Sequence, residues 1–373
     1  MMHVERAVNY LRGKNIICWG LGKYFNNTML PFFKKNELVS NIKFLVDKDE
    51  LVLSSHNPLL CNASRIGIDK LEEVVDSNTI LIYTAKNYRE MEEYILSNSK
   101  LKDMETVPGS VLGGLFQDDS LLLTEGFDDT IKDKGEEKIP RIINTFWFSN
   151  DPIPEKYLEC MKSWKQFCPD YEVRIWSLND YNSKGCRFFD EAISVMNWSI
   201  ASDYSRIDVI YRYGGIYMDM DVEVIKPLDD LLRNEAYLGF ESMQHVDCGS
   251  GFGSRQGNKV FEEIRGKYLD KPFILEDGTY NIREICPVVY TDVLKKHGLV
   301  TNGQYQKIEN ITVYPFECLS AKSFETGIIY NTNNTYTIHH HGGTWLSNDN
   351  KEVIKKRYAD VNHWLKVFSD KGE

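Results

Sequence analysis

Residues 199–222 join a helical pattern, a pair of glycines and a β-prone run, and this succession constrains the fold more than any other part of the chain. Asp203 and Arg206 stand three residues apart, so on a helix they project from one face. Isoleucines at helical spacing supply an apolar stripe, which predicts that the helix docks on a core. Gly214 and Gly215 predict the end of this helix, because glycine accepts the left-handed conformation of a C-cap at little steric cost.

Two aspartates follow the glycine pair, at the exit of the predicted strand 216–218. Carboxylates two residues apart at a strand end direct hard oxygen ligands at one point, which suits Mg²⁺ or Mn²⁺ bound to a diphosphate. Such an ion neutralises the charge of a departing nucleotide diphosphate. An isolated Asp-x-Asp is more often ordinary loop chemistry, but here Asp219 and Asp221 end a far more specific succession.

Residues 201–221, from Ala-Ser-Asp-Tyr-Ser-Arg to Tyr-Gly-Gly-Ile-Tyr-Met-Asp-Met-Asp, resemble the signature of the DXD-containing glycosyltransferases of family 32. That family includes fungal initiating mannosyltransferases and animal α-1,4-galactosyltransferases, and glucosylating bacterial toxins carry a similar block. Residues 139–148 resemble the family's opening strand, except that Asn-Thr stands at 144–145 where relatives often have His-Gln. Residues 339–345 resemble its closing histidine-to-tryptophan segment, so the resemblance covers residues 139–350.

The resemblance implies an α/β fold of GT-A type that binds a nucleotide-sugar, for which we expect a UDP-sugar. It implies a metal-dependent retaining glycosyltransferase that moves a hexose to a glycan or lipid-linked oligosaccharide acceptor, and we expect a role in bacterial capsule or surface polysaccharide synthesis. Two alternatives stay open. One is a catalytically silent subunit that binds glycan or nucleotide for assembly, and the other is an oxidoreductase that works through the first domain.

By resemblance, Asp221 is the direct metal ligand, and Asp219 holds the ribose or sugar of the donor while it leans toward the metal. Asp203 and Arg206 are expected to grip the donor sugar and its phosphate side, and these four residues form the predicted catalytic set. A planar guanidinium suits oxygen anions, and the neighbouring carboxylate keeps Arg206 from being an unpaired buried charge. Gly215 is included among the predicted donor contacts.

A run of three histidines follows a strand-like segment, residues 336–338. His339 is placed to enter the site at a strand end and give a nitrogen to the metal, and Mn²⁺ tolerates imidazole beside carboxylates better than Mg²⁺ does. The alternatives are a surface cluster or core packing. We favour His339 over His340 and His341, and predict a Mn²⁺ (or Mg²⁺) site with Asp219, Asp221 and His339 as ligands.

Further donor contacts are predicted at both ends of the matched region. Trp147, near the end of the first strand, either stacks on a nucleotide base or packs in the core. Thr344 and Trp345 are predicted donor contacts, and Trp345 covers the sugar or closes a lid for which the glycines 342–343 act as the hinge. The glycine-rich turn 247–254 either lines the acceptor side or connects two strands.

The family retains anomeric configuration, and a covalent route to retention needs a carboxylate on the far face of the sugar. Glu241 and Asp247 are candidates for that carboxylate only because they lie near the motif in sequence. A same-face route needs no such group, because the leaving phosphate itself takes the proton of the acceptor, and we favour this route.

The chain has 373 residues, which suits two domains, and its net charge of −11 argues against a nucleic-acid partner. Its eight cysteines include no Cys-x-x-Cys pair, so we expect no zinc site and reduced thiols. No apolar run precedes Gly13 and no window is long enough to span a membrane, which predicts a cytoplasmic location, with the inner face of the membrane as an alternative.

Residues 1–125 predict a smaller Rossmann-like α/β domain, 126–138 a charged linker, and 139–373 the GT-A glycosyltransferase domain. The first domain carries Gly20-x-Gly22 after a predicted strand and Asp47 after the next, which partly matches a dinucleotide fingerprint. The third glycine is missing, since Asn26 lies near its place. We therefore favour a scaffold or partner-docking role for this domain over cofactor binding.

Overall fold

The computed structural model describes residues 3–54, 57–122, 135–149, 151–343 and 347–371. The chain forms two compact units. Unit 1 comprises Met1–Asp119, Glu325–Gly327 and Asp349–Glu373, and unit 2 comprises Ser120–Phe324 and Ile328–Asn348. Each unit contains a sheet with helices, so the α/β class predicted from the sequence is confirmed. Most of the predicted linker, residues 126–134, lies outside the described residues.

Unit 1 is built on a five-stranded parallel sheet in the order β3-β2-β1-β4-β5, which is the arrangement of a Rossmann-like domain. Apolar runs of β-branched residues form its central strands, as such runs do where helices cover both faces. Its elements are α1 (His3–Arg12), β1 (Asn15–Trp19), α2 (Leu30–Lys35), β2 (Ile42–Val46), α3 (Glu50–Ser54), β3 (Ser64–Ile66), α4 (Leu71–Val74), β4 (Thr79–Tyr83), α5 (Arg89–Ser97), β5 (Glu105–Pro108) and α6 (Gly109–Leu122).

The glycine turn after β1 is tied to the aspartate that follows β2. Asp47 Oδ2 accepts a hydrogen bond from the Leu21 backbone N–H at 2.7 Å. In a dinucleotide-binding fold this acid and this turn both face the ligand. Here the two are hydrogen bonded to each other, and the scaffold or partner-docking role of the domain stays a prediction.

Unit 2 is built on a seven-stranded mixed sheet in the order β12-β13-β10-β11-β8-β6-β7, and a separate two-stranded ladder pairs β9 with β14. Its elements are β6 (Ile142–Phe146), α7 (Glu155–Phe167), β7 (Glu172–Trp176), α8 (Arg187–Ser194), α9 (Trp198–Tyr213), β8 (Gly215–Tyr217), β9 (Val222–Val224), β10 (Ala236–Gly239), β11 (Phe252–Ser254), α10 (Lys259–Gly266), α11 (Cys286–Lys296), β12 (Gln306–Ile308), β13 (Ile311–Tyr314), α12 (Phe316–Leu319) and β14 (Thr337–His339).

Side chains of the segment around β8 alternate between two cores, because successive residues of a strand point to opposite faces of the sheet. Ile216 and Met218 pack with Trp164 of α7, whereas Tyr217 packs with residues of α9 and α11. Helix α7 is also fastened to β9, since the Trp164 indole donates to the Val222 carbonyl at 2.7 Å. The sheet is thus covered on both faces, and the strand that leads to the two aspartates is held from both sides.

Helix α9 ends at the predicted glycine. Gly214 has φ of 70°, in the left-handed region, and its N–H donates to the Ile210 carbonyl. Gly215, with φ of 97°, begins β8 so close to β6 that a Cβ atom would lie 2.6 Å from the Ile142 carbonyl oxygen. The helix-to-strand turn therefore requires glycine at both positions, for conformation at the first and for space as well at the second.

The last helix, α13 (Asn348–Lys371), is grouped with unit 1 rather than with the domain 139–373 in which the sequence analysis placed it. The reason is aromatic packing: the rings of Trp364 and Phe368 lie 6.2 and 5.5 Å from the ring of Tyr10 in α1. Across the described ranges, no helix is both long enough and apolar enough to cross a membrane.

Candidate metal and donor site

Three parallel strands of unit 2 end at one edge of the sheet. Strand β6 lies between β7 and β8 and runs parallel to both, so chain order reverses beside it. In open α/β sheets, ligands bind at such a reversal, outside the carboxyl ends of the strands. Trp147 follows β6 and Asp219 follows β8, so both predicted residues lie at this edge.

Asp219, Asp221 and His339 converge as predicted. One ligand atom from each residue lies within 4.8 Å of the other two, as in a divalent metal site. His339 Nε2 is 3.3 Å from Asp221 Oδ1 and 3.9 Å from Asp219 Oδ2. Two carboxylate oxygens and one imidazole nitrogen form a donor set that suits Mn²⁺ better than Mg²⁺.

The other oxygen of each aspartate is held by the chain. Asp219 Oδ1 accepts a hydrogen bond from the Tyr217 hydroxyl at 2.5 Å and lies 3.6 Å from Arg206 Nη2. Asp221 Oδ2 accepts one from the Gly342 N–H, also at 2.5 Å. Each carboxylate is therefore fixed through one oxygen and presents the second toward His339.

The imidazole of His339 is oriented from its far side. Its Nδ1 lies 3.0 Å from Ser250 Oγ and 3.9 Å from Asp247 Oδ2, and the Ser250 hydroxyl also donates to that carboxylate. Metal-binding histidines are usually held through the ring nitrogen that does not bind the metal. Burial alone would lower the pKa of His339, but Asp221 and Asp247 outweigh burial and raise it well above its usual range.

The neighbours of Asp221 also change the pKa of its carboxyl group. Burial works to raise the pKa of this carboxyl, but the adjacent His339 and the Gly342 N–H lower it well below its usual range. Asp221 is thus held ionised and ready to accept a cation. A divalent ion at this position would compete with a proton for His339 Nε2.

Asp203 and Arg206 of α9 are each only 5% exposed, so the pair lies behind the cluster rather than on an open surface. Arg206 donates to Cys248 O, Ser202 O and Ser202 Oγ, and its Nη2 is 3.6 Å from the Asp203 carboxylate. Asp203 also accepts from the Cys286 N–H at 3.1 Å. In this arrangement the pair supports Asp219, and direct contact with the donor stays a prediction.

The remaining predicted donor contacts differ in position. Trp147 is partly exposed, and its ring meets the ring of Tyr157 edge-on at 6.1 Å, beside the cluster. Gly215 begins β8 and packs on β6, whereas Asp219 follows the other end of that strand, so Gly215 is not brought to the cluster. Thr344 and Trp345 lie outside the described residues.

The neighbours of His339 make other contacts. His340 pairs with Glu223 at 2.8 Å, and His341 Nε2 lies 2.8 Å from the Lys322 carbonyl oxygen. Burial and the adjacent His339 lower the pKa of His341 to about 3. Of the three histidines, only His339 belongs to the described metal-type group.

The glycine-rich turn 247–254 lies directly against the cluster. A Cβ atom on Gly249 would come within 2.4 Å of Asp219 Oδ2 and 3.1 Å of His339 Cε1. Asp247 is buried, its Oδ1 accepts from the Gly249 and Ser250 N–H groups and its Oδ2 accepts from the Ser250 hydroxyl, so it orients His339 and is not free to attack a sugar. Only glycine at 249 therefore leaves room for the turn to pack against Asp219 and His339.

Glu241 and Tyr157 also lie near the site. Burial, aided by Asp247, raises the pKa of Glu241 to about 8, which disfavours the ionised form that a nucleophile needs. Tyr157 of α7, 5% exposed, was not predicted from the sequence. Its hydroxyl and Asp221 Oδ2 would each be 3.1 Å from a Cβ atom on Gly342, which places Tyr157 at the wall of the site.

Comparison with known proteins gives one family match. Residues 154–238 match the model described as a glycosyltransferase sugar-binding region containing a DXD motif. This range includes Asp203, Arg206, Asp219 and Asp221 but not His339. The resemblance to DXD glycosyltransferases is therefore confirmed for this part of the chain.

Curated relatives agree over a similar length. Inositol phosphoceramide mannosyltransferase 3 of Schizosaccharomyces pombe is 31% identical over 127 residues, which is 33% of this chain and 35% of the relative. Mannosyl phosphorylinositol ceramide synthase CSH1 of Saccharomyces cerevisiae is 29% identical over 125 residues, 32% of this chain and 33% of the relative. The chain thus spans about a third of the length of these relatives. A solved structure described as PaToxG glycosyltransferase is similar over 43% of this chain and 69% of its own, with 17% identity and a TM-score of 0.34.

Proposed function

We propose that this chain is a metal-dependent, retaining glycosyltransferase that moves a hexose from a nucleotide-sugar to a glycan or glycolipid acceptor. The observation that carries the proposal is the convergence of Asp219 Oδ2, Asp221 Oδ1 and His339 Nε2 at the carboxyl edge of the sheet. The match of residues 154–238 to a DXD sugar-binding region supports the same chemistry.

Asp219, Asp221 and His339 would hold Mn²⁺. When bound, the ion supplies positive charge that offsets the negative charge of the leaving diphosphate. Tyr217 and Arg206 keep Asp219 in place, and the Gly342 N–H keeps Asp221 in place. Prepared groups of this kind cost no reorganisation during the reaction, which is why they accelerate it.

We propose the same-face route to retention. The bond between the anomeric carbon and the phosphate oxygen breaks, the acceptor hydroxyl oxygen bonds to that carbon on the same face, and its proton passes to the phosphate oxygen. A covalent route needs an ionised carboxylate free to attack. Neither earlier candidate suits it, because burial raises the pKa of Glu241 to about 8 and so disfavours its ionised form, and Asp247 is engaged by Gly249 and Ser250.

The donor and acceptor follow from weaker indications. A UDP-hexose is the first donor to test, and GDP-mannose is the second, because the names of both similar yeast proteins refer to mannosyl groups or their transfer. Their names also specify a ceramide lipid as the acceptor, which favours a glycolipid over a free sugar. A role in capsule or surface polysaccharide synthesis in the cytoplasm stays a prediction.

A donor screen tests the proposal. The protein is incubated with Mn²⁺ and each of a panel of UDP-hexoses and GDP-mannose, and mass spectrometry measures free nucleotide diphosphate and sugar-bearing products. We expect one donor to release nucleotide, and EDTA to stop the release. Binding of UDP or GDP with Mn²⁺, seen as a raised melting temperature, without turnover of any donor would instead favour the silent assembly subunit.

A further inference from the structure

The turn that follows β14, residues 340–342, wraps around Asp221 and is here named the closing turn. The His340 N–H donates to the backbone carbonyl of Asp221 at 2.9 Å, and the Gly342 N–H donates to its Oδ2 at 2.5 Å. These bonds leave Asp221 Oδ1 facing His339. The closing turn thus determines which oxygen of Asp221 is presented to a metal.

Lys322 holds the closing turn at two points. Its ammonium donates to the His340 carbonyl at 3.1 Å, and its own carbonyl oxygen lies 2.8 Å from His341 Nε2. Lys322 is located just after α12, on a segment that supplies none of the three clustered ligand atoms. It therefore acts on the cluster through the turn.

The closing turn contains a residue in an unfavourable backbone conformation. His341 has φ of 54°, a left-handed value that residues other than glycine adopt at a cost. Such conformations persist where the surroundings fix them, and they cluster at functional sites. Here the contact of His341 with Lys322, and the ring of His339 at 4.4 Å from its own ring, are the fixing contacts.

We infer that Lys322 is a positioning residue that locks the closing turn onto Asp221 and so sets the affinity of the cluster for a divalent cation. This role rests on the proposed function, because it matters only where Asp219, Asp221 and His339 bind a metal. Outer groups that orient metal ligands typically change metal affinity by about 10-fold to 100-fold when they are removed.

Three substitutions test this role. Lys322→Met removes the ammonium but keeps an apolar stem, Lys322→Arg keeps a cationic donor, and His341→Asn removes the imidazole contact while asparagine still tolerates the left-handed conformation. The matched control is Lys226→Met, because Lys226 also donates to a backbone carbonyl, that of Asn333 at 2.9 Å, rather than to the closing turn. The full chain is used throughout, and a melting curve of each variant confirms folding.

The first readout is the affinity for Mn²⁺, which is measured from the loss of the EPR signal of the free ion during a titration. We expect Lys322→Met and His341→Asn to weaken binding by about 10-fold or more, Lys322→Arg to recover most of the loss, and Lys226→Met to match the wild type. The second readout is hydrogen exchange of the His340 and Gly342 amides, which should be faster in Lys322→Met and unchanged in Lys226→Met.

The outcomes separate the role of Lys322 from the proposed function. Wild-type protein that fails to bind Mn²⁺ overturns the metal-dependent function. If the wild type binds Mn²⁺ and Lys322→Met binds it with equal affinity, the role of Lys322 is overturned and the proposed function stands. If Lys322→Met does not fold, the same conclusion follows from equal affinity in His341→Asn. An equal loss in Lys226→Met would also overturn it, because the effect would then be general to lysine-to-carbonyl contacts.

Discussion

His339 Nε2 lies 3.3 Å from Asp221 Oδ1, although the two residues are far apart in the chain. The antiparallel ladder of β9 and β14, in which His339 is paired with Val222, joins the segments that carry them. Their proximity is therefore a property of the sheet rather than of either motif alone.

Removal of the Asp221 carboxylate is expected to abolish metal binding. In Asp221→Ala we expect the rate of sugar transfer to fall by about 100-fold or more, because one anionic ligand is lost and His339 loses its partner. Nucleotide release is measured by mass spectrometry at the Mn²⁺ concentration that saturates the wild type. Asp292→Ala, at a carboxylate whose side chain is 65% exposed, serves as the control. Retained transfer in Asp221→Ala would contradict the metal assignment.

Removal of the Tyr217 hydroxyl is expected to free one oxygen of Asp219. Tyr217→Phe keeps the ring, which lies 4.8 Å from the Arg206 guanidinium carbon, and loses only the hydrogen bond to Oδ1. The apparent affinity for Mn²⁺ should weaken by about 10-fold, and a kinetic titration of the ion measures it. Tyr237→Phe is the control, because within the described part of the chain its buried hydroxyl has no hydrogen-bond partner. Equal affinities in the two variants would rule out this role of Tyr217.

A single methyl group at position 249 is expected to disrupt the site. In Gly249→Ala the Cβ atom would be 2.4 Å from Asp219 Oδ2, so the carboxylate or the turn has to move. We expect Mn²⁺ binding to be lost, as measured by titration of the ion. We expect the fold to be kept with a reduced melting temperature, as measured by thermal unfolding. Gly266→Ala provides the comparison, since its added Cβ would meet nothing within 4 Å outside its chain neighbours and the backbone of its own helix. Normal Mn²⁺ affinity in Gly249→Ala would show that the turn can shift to accept the methyl group and that glycine is not required at this position.

The stability of unit 2 should depend on pH through His297, which lies away from the cluster. Its ring is hydrogen bonded to Glu309 at 2.6 Å and to Glu263 at 2.9 Å, and these contacts raise its pKa in the folded state. A raised folded pKa means that the stabilisation is complete below about pH 6.5, the unfolded value, and is lost as pH rises through the folded pKa.

The check is the free energy of unfolding of wild type and His297→Gln, measured by urea denaturation from pH 5.5 to 9. We expect the wild type to be the more stable at low pH and the difference to shrink as pH rises. A difference that grows with pH would show that His297 is not held charged by its two carboxylates.

Local signals predicted the central helix and its exit well. The helical spacing and the glycine pair placed α9 and its C-cap at Gly214, and Asp219 and Asp221 follow β8 as expected, because these features depend on neighbouring residues. The sequence analysis treated Arg206 as a buried charge paired with Asp203, but it did not predict that the pair lies behind the cluster, since this follows from the packing of α9 between the sheet and α11. A helical pattern specifies an apolar stripe but not how many other elements cover the polar side.

Residues brought in from distant segments could not be found in this way. His339 was predicted from the strand-like run before it together with the family resemblance, whereas Tyr157 and Lys322 carried no signal that distinguishes them from surface residues of a helix and a loop. Asp247 was noticed for its place in the chain, but its contact with His339 depends on the turn that β11 follows. Contacts of this kind are set by strand pairing, which the sequence of one chain does not reveal.

The pairing of His339 with Val222 also explains why three consecutive histidines are not interchangeable. Neighbouring side chains along a strand point to opposite sides, so a slip of β14 by one residue would turn the ring of His339 away and offer that of His340 in its place. Shortening or lengthening the strand itself is therefore expected to weaken metal binding more than replacing His340 or His341. The register of β9 and β14 therefore selects His339, and not His340 or His341, as the histidine that faces Asp221.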